Sequence, residues 1–186
     1  ELGTVEDIPV LADINTGTNE MKLYTKVGTD TSAIKIYAIA SENATVTAMV
    51  GGAEKEIKAN GTNMGLGVQP TVFTVTAENG DTETWDLYTR FEMAFTEFKF
   101  GGLVPEITGD LDSIPGSVLL TVLDGTDLTN LVADFTLSEA GTVEVGSTVQ
   151  TSGVTANDFT TPVTYELILD DGAIFEYEVI VNTISK

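Results

Sequence analysis

Short runs in which apolar and polar residues alternate recur along the whole chain. Met21-Lys22-Leu23-Tyr24-Thr25, Ile34–Ala38, Val72–Ala77 and Thr84–Tyr88 fall in the first half. Val118–Leu123, Leu131–Leu137, Val163–Leu169 and Phe175–Val181 fall in the second. A period of two places alternate side chains on one face, which is the signature of a half-buried β-strand. Thr, Val, Ile, Phe and Tyr fill these runs, and such residues suit a pleated surface. No window long enough for a helix keeps a period of about 3.6 residues, so almost no helix is predicted. Turn residues sit between the runs. Asn79-Gly80 and Asp171-Gly172 are placed to close tight hairpins, because both dipeptides tolerate positive φ. Gly51-Gly52 divides Ala44–Val50 from Ala53–Ala59, Gly146 holds the same place later on, and Ser113-Ile114-Pro115-Gly116 reads as a turn before a strand.

The pattern occurs twice. Thr29-Asp30-Thr31-Ser32-Ala33-Ile34 leads to Ser41-Glu42-Asn43-Ala44-Thr45-Val46, and Thr126-Asp127-Leu128-Thr129-Asn130-Leu131 leads to Ser138-Glu139-Ala140-Gly141-Thr142-Val143, an offset of 97 (126 − 29). Farther on, Pro70, Phe73, Val75, Gly80, Trp85 and Leu87 match Pro162, Tyr165, Leu167, Gly172, Tyr177 and Val179 at an offset of 92 (162 − 70). A repeat of this length predicts an all-β chain of two tandem β-sandwich domains of similar topology, residues 1–91 and 92–186. A single domain built from two pseudo-symmetric halves is the alternative. The aligned apolar positions fix the inward face: Met21 and Leu23 with Val118 and Leu120, and Ile34, Ile36, Ala38 and Ala40 with Leu131, Ala133, Phe135 and Leu137. The stretch Phe91–Phe100 carries four phenylalanines and no Gly, Pro or Ser, unlike a flexible linker. It is expected to run from the last strand of one copy into the first strand of the next, with some of its rings filling a contact between domains.

Composition narrows the chemistry. The chain has no cysteine and no histidine, which removes disulfides, thiolate chemistry, the usual zinc ligands and any Ser-His-Asp triad. The net charge of −21 makes nucleic acid and anionic membranes poor partners. Residues 1–91 hold 13 acids and 6 bases (net −7), and residues 92–186 hold 16 acids and only Lys99 and Lys186 (net −14). No apolar run is long enough to span a membrane as a helix. The chain opens at Glu1 and shows no signal segment, so it reads as a trimmed mature form. No P-loop pattern follows Gly51-Gly52 or Gly65-Leu66-Gly67, and no cofactor is implied.

The segment from Pro70 through Thr-Val-Phe-Thr-Val-Thr-Ala-Glu-Asn-Gly-Asp-Thr-Glu-Thr-Trp-Asp to Leu87 resembles the ending of Ig-like or cadherin-like repeats in surface lipoproteins of Bacteroidetes-type bacteria, and residues 161–182 are similar. The resemblance implies export to the cell surface or outer membrane, and a spacer or glycan-contacting role in polysaccharide uptake. The lipid-bearing cysteine of such proteins is absent from this chain.

Candidate sites follow from the repeat. Asp110-Leu111-Asp112 and Asp124-Gly125-Thr126-Asp127 offer oxygen ligands, but the spacing lacks a calcium-loop pattern and Asp127 has a repeat counterpart in Asp30, so turn architecture is the expected role and no metal site is assigned. Carboxylate pairs without long cleft-forming loops do not make a hydrolase, and no catalytic residue is assigned. Trp85 matches Tyr177 and is expected in the core. Tyr24, Tyr37 and Tyr88 are expected to point outward, and their counterparts are Thr121, Asp134 and Ile180. The fold therefore does not require them, and they are the candidate ligand-binding residues. The expected role is a non-enzymatic surface module that binds glycan or acts as a spacer, with a structural or adhesion role toward another surface protein as the alternative.

Overall fold

The computed structural model describes residues 12–26, 28–67 and 70–185. Residues 1–11 and 186, at the outer ends of the two expected segments, lie outside the described residues. The chain divides into two compact units, Glu1–Glu92 and Met93–Lys186. Strands are the dominant element in both, and the only described helix is a 3-10 turn at Thr31–Ala33.

The first unit holds β1 (Asp13–Asn15), β2 (Glu20–Thr25), β3 (Ile34–Ile36), β4 (Thr45–Val50), β5 (Ala53–Glu56), β6 (Thr62–Met64), β7 (Thr71–Thr76) and β8 (Thr82–Phe91). One sheet has the order β1-β2-β8-β7-β4-β5, and β3 pairs with β6 in a second. The second unit holds β9 (Phe95–Phe100), β10 (Ile107–Thr108), β11 (Ser117–Leu123), β12 (Leu131–Val132), β13 (Asp134–Leu137), β14 (Thr142–Val145), β15 (Thr148–Val149), β16 (Ala156–Asn157), β17 (Val163–Ile168) and β18 (Ile174–Ile184). Its main sheet runs β11-β18-β17-β14-β15, with β10-β9-β13 and β12-β16 as smaller sheets.

The repeat in sequence is a repeat in register. Met21 pairs with Leu87 in parallel, and so does Val118 with Val179. Phe73 faces Trp85, and Tyr165 faces Tyr177. Val46 faces Val75, and Val143 faces Leu167. Each second pair is the first carried forward by the two sequence offsets, so the two main sheets share one strand order apart from the additional β1 of the first.

Local chemistry explains the shared words. The Asp30 carboxylate accepts from Ser32 N–H at 2.9 Å and Ser32 Oγ at 2.6 Å. The Asp127 carboxylate accepts from Thr129 N–H at 3.0 Å and Thr129 Oγ1 at 2.7 Å. An aspartate that bonds the backbone two residues on fixes a turn before the strand. The Gly80 and Gly172 loops also match: Gly80 N–H donates to Ala77 O at 2.9 Å and Gly172 N–H to Leu169 O at 3.0 Å, with φ of 88° and 85°. These loops are longer than a two-residue hairpin, since Thr76 pairs with Thr82 and Ile168 with Ile174. Gly51-Gly52 and Gly146 do turn β4 into β5 and β14 into β15. Ser117 N–H closes the 113–116 turn on Ile114 O at 3.1 Å.

One expected strand needs correction. Leu131–Leu137 is not one strand. It breaks at Ala133, whose carbonyl accepts from Gly153 N–H at 2.9 Å, and the two pieces join different sheets. Three of the junction phenylalanines build the core of the second unit. Phe95, Phe98 and Phe100 are buried and pack their rings on Phe135, Phe159, Tyr165 and Tyr177, all within the second unit. The first unit has a leaner core of Leu23, Ala48, Ile57, Met64, Leu66, Phe73 and Leu87, with Trp85 half-buried against it.

Candidate functional site: an outer sheet face with tyrosines

Strands β2 and β8 lie side by side, and the alternation along each turns Leu23 and Leu87 inward. The residues between them therefore face out. Lys22 is opposite Tyr88 and Tyr24 is opposite Arg90, so the two tyrosines are diagonal neighbours on one face. Adjacent strands are about 4.8 Å apart, and diagonal positions lie within reach of aromatic side chains. Both tyrosines are half-buried.

Farther along the same two strands, Glu20 is opposite Asp86. Here the β1–β2 turn and β8 enclose a shallow polar pocket of about 400 Å³, lined by Gly17, Thr18, Asn19, Thr84 and Asp86. Asn19 takes a positive φ of 57° and holds the turn against β8, donating from Nδ2 to Glu83 Oε1 at 3.0 Å and to Thr84 O at 3.2 Å. Asp86 N–H donates to Asn19 O at 3.0 Å. The pocket thus has a fixed backbone and carries hydroxyl, amide and carboxylate groups. The sequence patterns gave no sign of it, because it joins a turn to a strand more than 60 residues away.

Tyr37 is not part of this face. It follows β3, the strand of the other sheet, is 51% exposed, and lays its ring over Gly61. A Cβ at Gly61 would come within 2.7 Å of that ring. The structure therefore brings Tyr24 and Tyr88 together and leaves Tyr37 elsewhere.

The loop acids have local roles. Asp110 accepts from Asp112 N–H at 2.9 Å, from Ser113 N–H at 3.0 Å and from Ser113 Oγ. The Ser113 hydroxyl first, then the two N–H groups, hold its carboxyl below the usual range. Asp127 is lowered by the Thr129 N–H and hydroxyl. Among the described residues no group of three or more acids is arranged to hold a metal ion.

Residues 95–181 match the model of the family described as SGBP, N-terminal. The name stands for glycan-binding proteins, and the match covers a little under half of the chain, all of it within the second unit. No curated protein matches the chain. Among solved structures, a candidate secreted protein of Bacteroides fragilis NCTC 9343 is 15% identical, with 83% of this chain and 98% of that chain covered and a TM-score of 0.32. The SGBP-B of a Bacteroides ovatus mixed-linkage glucan utilization locus, in complex with mixed-linkage heptasaccharide, is 12% identical, with 95% and 69% covered and a TM-score of 0.27. Likeness at that level leaves the SGBP match to stand by itself.

Proposed function

We propose that this protein is a non-enzymatic, surface-associated module of a glycan-binding system, and that its first unit contacts glycan through Tyr24 and Tyr88. The observation that carries this reading is the shared outward face of the two tyrosines, continuous along β2 and β8 with the polar pocket at Asn19 and Asp86. Tyrosine rings offer apolar faces to the C–H surface of a sugar, and the neighbouring amide and carboxylate groups suit its hydroxyls. The SGBP match of the second unit supports the same ligand class and an exported location. Affinity electrophoresis against a panel of soluble polysaccharides tests it. The expected result is retardation by at least one glycan, lost in the Tyr24→Ala/Tyr88→Ala double variant and kept in Tyr37→Ala. Equal retardation of the double variant overturns the assignment.

A second reading, contact with another surface protein, is favoured by a different place. Ile39, 92% exposed near Tyr37, lines a groove of about 280 Å³ together with Ala38, Ala40, Ala44, Glu56 and Lys58. Blank results on every glycan, with cross-linking to a surface protein that Ile39→Ser abolishes, would favour it.

A further inference from the structure

The outer face does not end at β8. Thr84 on β8 is opposite Thr74 on β7, and Thr74 is opposite Thr47 on β4. One step along, Thr82, Thr76 and Thr45 form a second such row. Thr45, Thr82 and Thr84 are exposed and the others half-exposed. Cross-strand threonines stabilise sheets in general, so their presence alone means little. The repeat supplies the control. By the same offsets, Thr47, Thr74 and Thr84 correspond to Glu144, Glu166 and Glu176, which face one another across β14, β17 and β18. The same three places thus carry hydroxyls in one unit and carboxylates in the other, and the fold does not dictate the choice.

Thr84 also lines the polar pocket beside Asp86, so the row is continuous with the tyrosine face. From β2 to β4 this surface spans three inter-strand spacings, about 14 Å. Each threonine hydroxyl both donates and accepts, which matches sugar hydroxyls set side by side. Glu56 lies opposite Thr47 at one end, Asp86 sits between Thr84 and Tyr88 on β8 with Glu20 opposite it, and Lys22 and Arg90 stand opposite the two tyrosines. The net charge of −21, with carboxylates at Glu56, Asp86 and Glu20 along the threonine rows, disfavours an acidic ligand.

We propose that Thr84, Thr74 and Thr47 extend the glycan site across the sheet, so that an uncharged polysaccharide lies across the strands from the tyrosines to β4. This rests on the reading of Tyr24 and Tyr88 as glycan contacts. Binding is measured by calorimetry and affinity electrophoresis on the whole chain, with mixed-linkage β-glucan, xyloglucan and soluble starch as uncharged probes and polygalacturonate as the acidic one. The Thr47→Val/Thr74→Val/Thr84→Val variant keeps shape and strand preference and replaces each hydroxyl by a methyl group. It is expected to bind the best uncharged probe about tenfold more weakly, equivalent to about 1.4 kcal/mol, with an unchanged melting temperature. The Glu144→Thr/Glu166→Thr/Glu176→Thr variant is expected to bind as the parent does. If the tyrosine double variant loses binding while the valine variant binds like the parent, the site stops at β8 and this proposal falls while the tyrosine assignment stands. If neither variant changes a measurable affinity, or if no probe binds the parent, both fall. Polygalacturonate binding as tight as that of the uncharged probes overturns the charge argument.

Discussion

Tyr165 shows how one side chain ties the second unit to pH. It is fully buried, and its hydroxyl accepts from Asn157 Nδ2 at 3.0 Å, which also donates to Gln150 Oε1 at 2.8 Å. Burial pushes the phenol up to about 12, with the Asn157 bond pulling the other way. In the unfolded chain it ionises near 10. Between those values the unfolded state sheds a proton that the folded state keeps, so stability falls as pH rises, by up to about 3 kcal/mol. Below pH 10 the group contributes no slope. Urea midpoints from pH 8 to 11.5 are expected to decline more steeply for the parent than for Tyr165→Phe, and parallel declines would refute this. Gly141 is a second sensitive position. A Cβ there would sit 2.5 Å from Ile168 O and 2.7 Å from Met93 Cε. Gly141→Ala is expected to cost about 1–3 kcal/mol through overpacking, although its repeat counterpart is Ala44. Thermal melts of the two reciprocal variants, Gly141→Ala and Ala44→Gly, check whether the cost belongs to this neighbourhood.

Among the elements, β14, β17 and β18 carry an unfavourable row. Glu144, Glu166 and Glu176 are directly opposite one another across three strands. Like charges at such positions destabilise a sheet by a few tenths of a kcal/mol to about 1 kcal/mol. Glu166→Thr, which copies Thr74 of the first unit, is expected to raise the melting temperature in low salt. Added sodium chloride should shrink the gain, because screening relieves the same repulsion. A gain that persists unchanged in 1 M salt would point to packing instead. Lys99 makes the contrasting case: it lies 3.4 Å from Glu97 and 3.5 Å from Glu106 on β9 and the loop that follows it. The Glu97 hydrogen bond and then the Glu106 charge raise its pKa, so it stays a cation through the working range.

For the whole molecule, the two compact units have cores of different make-up. The second is organised around Phe98, whose ring lies 5.1 Å from Phe95, 5.4 Å from Tyr165 and 6.3 Å from Phe135. Phe98→Ala should cost about 3–5 kcal/mol. We propose that the units are separate domains. Calorimetry is then expected to show two transitions, of which Phe98→Ala lowers only one. A single transition that shifts as a whole would show that the chain unfolds as one body.

Much of this was legible in the sequence because it depends on residues near one another in the chain. Period-two alternation fixed which side chains of β2, β7, β8, β11, β17 and β18 turn inward, and Asp30 and Asp127 bond only two residues ahead. The repeat could be read because both copies obey the same local rules. Tertiary structure decided what depends on distant neighbours. Whether Tyr24 meets Tyr88 or Tyr37 turns on the parallel pairing of β2 with β8, which closes over 60 residues of intervening chain and leaves no local trace. The fate of the phenylalanines in β9 was settled by β13 and β17 supplying rings to pack against. The matched rows of threonine and glutamate became visible only when register set three strands side by side, since hydrogen bonding across strands is blind to the order in which they were made.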